Sequence, residues 1–434
     1  MIADRLLWWL ILGYPILFAI ADNRSVYSDR GVDVSSNPLG SAGLIIQLAA
    51  LVLAAGLMAT RLMNDARSHW PLPSVLPYLG IFFITAAAIS LAKGELGPAF
   101  GALVACVTLA AVSLTPTSPV SVLGHVRGFL RLQVLASVAL GILLPLWALV
   151  PPEHNSRTFF GVDSRLIGLT SGPNYMGATA AVLFILELFV LTRGRLLRAV
   201  FATLALVAVV WSQSRTGLGV IALTSLLALM ARLLHREGLL TLARLFVWGP
   251  IIVMATAPFA ILAFIESRSE LLASITTGRV YVWQAALDAV RAAPLFGLTH
   301  EEFAAIVQSY SSEYQFSNAH NQLLETMATG GIVMATLLLL LLTTLGKSLV
   351  LQARTQLAPL ALSFGVLGQL PFGTPLRLTG FSWNLVAAAI LVLCTRPWVA
   401  PDGLDAEVQP RERGGHRKGS ASMSGGRNAL GGRI

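Results

Sequence analysis

Charge is scarce in this sequence. Only 12% of its 434 residues are Asp, Glu, Lys or Arg, while 55% are hydrophobic, and a soluble domain carries about twice that charged share. A water-soluble core has no room for so much apolar surface, so the two or three soluble domains that the length alone would allow are excluded. Cysteine is scarcer still. Cys106 and Cys394 each stand inside an apolar run, which argues against a disulfide framework or a cysteine-built metal site and leaves both as packing residues. Several catalytic signatures are missing as well: there is no His-Glu-x-x-His, no Gly-x-Ser-x-Gly and no Asp-x-Asp. A zinc hydrolase, a serine hydrolase elbow and a metal-held sugar nucleotide are therefore not indicated. Gly346-Lys347-Ser348 imitates the end of a phosphate-binding loop, but Leu341 stands where its first glycine belongs.

What is present is a series of apolar runs near the ~20 residues that cross a bilayer. They fall at 6–21, 39–60, 72–92, 97–114, 128–150, 173–192, 196–211, 217–234, 242–265, 322–345, 357–371 and 380–395. The expectation is an all-α, polytopic integral membrane protein of about 12 transmembrane helices, with residues 1–395 as one membrane domain. The first span ends in Phe18-Ala19-Ile20-Ala21, a pattern open to signal peptidase, but Trp8, Trp9 and Tyr14 suit a retained anchor at an interface. The formal net charge of +9 does not point to nucleic acid, because the basic residues sit in short loops and a tail and not in an aromatic-interleaved stripe.

Orientation follows from those basic residues. With the N-terminus in the cytoplasm, Arg61, Arg67, Arg127, Arg193, Arg195, Arg198, Arg232, Arg236, Arg244, Lys347 and Arg354 lie inside, and so does the tail. Both termini are then cytoplasmic. Residues 396–434 turn rich in Gly, Pro, Ser and Arg with little to bury, which reads as a disordered basic tail that sets orientation and solubility or meets anionic lipid heads.

Two outer segments, 151–172 and 266–321, are long enough to build something. In the second, Arg279 opens a run with Val280, Trp283, Ala286, Leu287 and Val290 at helical spacing, closed by Pro294. This is an amphipathic helix whose apolar face lies on the membrane or packs on the bundle. Glu301 to Tyr310 forms a second, and Ala319-His320-Asn321 then opens the tenth span. His320 thus stands at an outward helix N-terminus, where the positive dipole end disfavours further positive charge and leaves an imidazole that accepts a proton. Between the seventh and eighth spans, Ser212-Gln213-Ser214-Arg215-Thr216-Gly217 places an arginine close to the hydrocarbon boundary. A guanidinium there binds phosphate oxygens through paired hydrogen bonds, or snorkels to lipid heads. Arg215, Arg279 and His320 all fall on the outer side. Few acidic residues sit within spans, Glu187 and Glu325 being the main ones. A transporter of an anionic or lipid-linked solute and a non-catalytic scaffold remain open beside an enzyme.

Four stretches in this order resemble the O-antigen ligase and polymerase superfamily of bacterial envelope enzymes. They are Ser171-Gly172-Pro173-Asn174-Tyr175-Met176-Gly177, Ser212-Gln213-Ser214-Arg215-Thr216-Gly217, Gly278-Arg279-Val280-Tyr281-Val282-Trp283, and His320-Asn321-Gln322-Leu323-Leu324 followed by Gly330-Gly331. The resemblance covers about 160–345; the first five spans match only as hydrophobic helices. It implies a GT-C-like, metal-independent membrane glycosyltransferase architecture in the bacterial inner membrane, with a periplasmic active site and no cofactor. The donor it implies is a glycan on undecaprenyl pyrophosphate, and the acceptor a hydroxyl of a lipid A core or another growing glycan. Carried over residue by residue, it implies that Arg215 and Arg279 hold the pyrophosphate and that His320 is the general base. Asn174, Trp283, Asn321 and Glu325 would line the cleft, or serve only packing and helix-end hydrogen bonding. The 266–321 segment is expected to cap a lateral opening for the lipid-linked donor.

Overall fold

A computed structural model describes residues 2–26, 40–68, 75–115, 117–150, 163–190, 194–233, 236–263, 279–310, 319–353, 357–376 and 382–396. Residues Met1–Trp398 form one compact unit. The basic tail from 397 onward, Gly278 and the first part of each long outer segment fall outside the described residues.

The chain begins with α1 (Ile2–Val26), α2 (Gly40–Ser68), α3 (Leu76–Ala92), α4 (Leu96–Ser113) and α5 (Pro119–Leu143). A one-turn α6 (Pro145–Ala148) leads into β1 (Leu149–Val150), which pairs antiparallel with β2 (Arg165–Leu166). Then come α7 (Pro173–Phe189), α8 (Arg195–Ser212), α9 (Arg215–Leu233) and α10 (Arg236–Ala263). Two helices outside the predicted spans follow, α11 (Arg279–Ala292) and α12 (His300–Tyr310). The chain closes with α13 (Gln322–Ala353), α14 (Leu357–Leu367) and α15 (Trp383–Cys394).

Each predicted span falls on a helix. Seven are long and apolar enough to cross a membrane, and five are shorter apolar helices. The protein is an all-α polytopic membrane protein, and among the described residues the β1–β2 pairing is the exception. The span expected over 128–150 is corrected at both ends. Its helix starts at Pro119, behind Ser118, whose hydroxyl accepts the Ser121 N–H, and proline at the first helical position is pre-set for that start. It stops at Leu143 because Leu144 precedes Pro145 and takes φ −134°, as the steric conflict with a following proline ring dictates.

Large side chains such as Val52, Leu132 and Leu143 are exposed on the outer helices, whereas every residue of α15 and Pro359–Leu367 of α14 are buried. Apolar residues outside and inside mark a body solvated by lipid, with α14 and α15 at its centre. Hydrogen bonds fix which helix ends lie together. Arg61, two turns before the end of α2, pairs with Asp4 of α1 and donates to Ala111 of α4. Thr115 also reaches Asp4, and Arg396 donates to Thr117. These mark one end of the bundle. At the other, Lys93 after α3 meets Leu298 and Thr329, and Gln322 N–H binds Leu370 C=O.

Glu187, near the end of α7, is 2% exposed. Arg131 of α5 closes on it with two bonds, Nε to Oε1 at 2.6 Å and Nη2 to Oε2 at 2.7 Å. Arg198 and Arg127 donate to the last carbonyls of the same helix, at Glu187, Leu188 and Val190. Those carbonyls have no intrahelical partner, so the arginines complete the helix end.

Candidate functional site

The two glycine motifs meet first. Gln213 takes φ 53°, and this left-handed residue turns α8 back into α9 with Arg215 as the first residue of the new helix. A Cβ on Gly177 would run into Ser214, and one on Gly217 would lie 2.9 Å from the carbonyl oxygen of Gly177. Bare backbone at both positions is what lets α7 and α9 cross in contact. Arg215 is exposed at this end, and Asn174 is exposed in the first turn of α7. Val220, farther along α9, packs against Gly368. The turn that continues from Gly368 through Phe372 therefore lies at the Arg215 end of the bundle.

Sequence reasoning missed Arg165. β2 sets its direction: Val150 pairs with Arg165, and Ile167 N–H reaches back to Ala148. The half-buried guanidinium donates to Ser212 C=O at 3.1 Å and to Asn174 Oδ1 at 3.2 Å, linking the first two motifs. The length of the 151–172 segment was the only signal, since a two-residue pairing leaves no periodicity to read.

His320 occupies the most constrained position of the site. It is half-buried with φ 48°, and a non-glycine residue there stores about 1–3 kcal/mol that its surroundings must hold. The backbone on both sides is tied down. Ala319, fully buried, gives its N–H to Glu325 Oε2 at 2.7 Å and takes the Trp283 indole N–H on its carbonyl at 3.0 Å. Asn321, also fully buried, accepts the Leu324 N–H at 3.1 Å as the cap of α13. Its amide donates to Met254 C=O at 3.1 Å and Pro371 C=O at 3.3 Å.

Trp283 is 1% exposed on α11, whose apolar face packs on the bundle through Val282, Ala286 and Ala289. Of the two expected placements for that face, packing on the bundle is the one found. Arg279, one turn before Trp283, sits on the same side of the helix. Its guanidinium carbon lies 6.0 Å from the ring centre of Phe372, and the neighbouring Pro371 is the residue Asn321 holds. Arg279, Trp283, His320, Asn321 and Glu325 thus share one neighbourhood. Arg215, Asn174 and Arg165 form a second group at the same bundle end, joined to the first by the 368–372 turn.

Below this lies a break in α13. Gly331 takes φ 66° and ψ −169°, and a Cβ on it would strike the Leu295 carbonyl. The 294–298 loop fills the gap: Ile332 N–H goes to Pro294 C=O at 2.9 Å and Leu298 N–H to Ala328 C=O at 2.8 Å. Lys93 Nζ binds Leu298 C=O at 2.9 Å and Thr329 C=O at 2.6 Å. Interrupted helix at membrane depth is tolerated where protein groups replace the lost bonds. Burial pushes the Lys93 ammonium below its ordinary value, while Glu95 and Glu302 pull it back. Glu95 in turn accepts the backbone N–H of His300 at 2.6 Å and contacts its ring Nδ1 at 3.0 Å. Glu302 caps α12 by accepting from Thr299 N–H and hydroxyl, and these bonds hold its carboxyl below the usual range.

A cavity of about 110 Å³ opens between α3 and the first turns of α13, lined by Phe82, Phe83, His300, Gln322, Glu325 and Thr326. A larger one of about 380 Å³, beside Arg5, Trp8 and His125, lies at the opposite end of the bundle, away from the candidate residues.

Residues 199–341 match the family model described as O-antigen ligase. The match takes in Arg215, Arg279, Trp283, His320, Asn321 and Glu325, and across these residues the chain is similar to O-antigen ligases. No curated protein matches the chain.

Proposed function

We propose, with the O-antigen ligase match of residues 199–341 as premise, that this chain moves a glycan from an undecaprenyl-pyrophosphate carrier to an acceptor hydroxyl at the periplasmic face of a bacterial inner membrane. The acceptor is a lipid A core or another glycan. The observation that carries the reading is the bond from Trp283 to the Ala319 carbonyl. It brings the helix headed by Arg279 against the residue next to His320, at the bundle end where Arg215 also lies.

In this reading His320 takes the proton from the acceptor hydroxyl as its oxygen attacks the anomeric carbon. The bond from that carbon to the diphosphate oxygen breaks, and the negative charge that collects on the diphosphate is met by Arg215 and Arg279. Two guanidinium groups do the work a divalent cation does in other transferases. The pyrophosphate linkage already holds the energy for transfer, so no nucleotide enters the scheme. The outer helices α11 and α12 are the cap over a lateral opening for the lipid-linked donor.

Arg215→Ala, Arg279→Ala and His320→Ala are each expected to lower glycan transfer by roughly 10²–10³-fold while the protein stays inserted. The readout is gel analysis of lipopolysaccharide and secreted polysaccharide in cells carrying each variant in place of the wild type. Loss of all long-chain capping on deletion identifies a ligase, and retained single-unit capping a polymerase. Loss of solute flux with normal glycan linkages would mean transport, and tolerance of all three changes a scaffold.

A further inference from the structure

We infer that Trp283 and Glu325 are positioning residues for His320, and that Trp283 also sets the spacing between His320 and Arg279. The inference rests on the proposed function, and it gives these two side chains a task distinct from lining a cleft.

The carbonyl of Ala319 and the N–H of His320 belong to one peptide unit. A donor fixed on that carbonyl fixes the plane of the unit, and with it the rotation that sets φ of His320. Trp283 supplies the donor at 3.0 Å from a site 1% exposed, where the ring cannot swing. The preceding peptide unit is held by Glu325 Oε2, which accepts the Ala319 N–H at 2.7 Å. Beyond His320, Asn321 is anchored to Met254 and Pro371. The imidazole is thus carried on a left-handed residue, φ 48°, that follows two held peptide units and precedes an anchored asparagine side chain.

Capping α13 does not require this arrangement. Asn321 already caps the helix through Leu324 N–H, and a helix start needs no bond from a different helix. The indole comes from α11, one turn from the guanidinium of Arg279, so a single side chain registers the base against the cation. A reacting group displaced by about 1 Å loses on the order of 10²-fold in rate without losing its substrate.

The test uses the full chain in lipid nanodiscs. It measures transfer from an undecaprenyl-pyrophosphate-linked oligosaccharide to a lipid-linked glycan acceptor, with insertion checked for every variant. Trp283→Phe keeps an aromatic ring, a smaller one, and removes the N–H, Glu325→Ala removes the acceptor, and Glu325→Gln keeps an oxygen that can accept from Ala319. Trp283→Phe and Glu325→Ala are expected to lower kcat by about 10–100-fold with donor KM within about twofold, and Glu325→Gln to restore most of the loss. Placed on His320→Ala, the same two changes should cause no further loss. Losses confined to KM, failure of Glu325→Gln to restore, or an undiminished loss on the His320→Ala background would each overturn the inference. Full activity of His320→Ala by itself would instead overturn the proposed function, so the two failures are told apart.

Discussion

Asn321 offers a test in which one substitution should do harm that simple helix propensity says it cannot. Asn and Asp are equally good caps, so if Asn321 served only to start α13, Asn321→Asp would be neutral. The structure gives the side chain two further bonds, donated from a fully buried amide to the carbonyls of Met254 and Pro371. Asn321→Ala loses the cap, about 1 kcal/mol, and two hydrogen bonds worth about 1 kcal/mol each, so roughly 3 kcal/mol is expected. Asn321→Asp keeps the bond from Leu324 but turns a carboxylate oxygen toward two carbonyl oxygens without water to screen them. Its cost at neutral pH should equal or exceed that of alanine. The carboxyl of the variant is then held above the ~3.9 of an unfolded aspartate. The sign follows: the protonated form can donate, so the deficit is smallest below about pH 4 and grows as pH climbs through the raised folded value. Unfolding in dodecyl maltoside micelles titrated with dodecyl sulfate, followed by tryptophan fluorescence, measures all three proteins. An Asp variant within about 0.5 kcal/mol of wild type at pH 7, the range of an ordinary surface change, would refute the assigned bonds.

Three other outcomes follow from the same geometry. Arg131→Met strands the buried Glu187 carboxylate and should cost about 3–5 kcal/mol, while Arg131→Met with Glu187→Leu should recover most of it; additive losses in micelle unfolding would deny the pair. Gly331→Ala must place a side chain at φ 66° against the Leu295 carbonyl, so a loss of about 1–3 kcal/mol and faster proteolysis within 294–298 are expected, and wild-type protease resistance would count against the break. The cap of α12 depends on an ionised Glu302, whose carboxyl lies below its ordinary 4.5. The cap is intact above that value and is lost as pH falls through the lower folded one, which amide exchange of 300–310, normalised for intrinsic rates, reads directly.

The spans were legible because each is an apolar run bounded by polar or proline residues, and α11 and α12 because Trp283 and Phe303 recur at helical spacing with partners on the same face. His320 was legible as a residue at a helix start. Its left-handed backbone was not, because histidine, though enriched among non-glycine residues there, still adopts it rarely, and the bonds from Trp283, Glu325 and Asn321 that hold the segment come from three separate sequence positions. The Gly330-Gly331 pair was visible in the fourth motif, yet only the 294–298 loop shows that it marks a break. Arg165 escaped because two residues of strand leave no pattern. Thr299-x-x-Glu302 and Ser118-Pro119 were local helix-start signals that could have been read and were not.

The two central helices, α14 and α15, have 11 and 12 residues. At 1.5 Å per residue they rise about 17–18 Å, little more than half the ~30 Å insulating layer of a bilayer. Every residue of α15 and most of α14 are buried by longer helices, and the turn beyond α14 stays inside protein at Leu370 and Leu376. A bilayer as thick as the longer helices would hold the turn bearing Phe372 below its surface, where a bare phosphate is costly in hydrocarbon. Under the proposed function, a carrier headgroup drawn down along the protein wall would meet Arg279, whose guanidinium faces the Phe372 ring, in place of hydrocarbon.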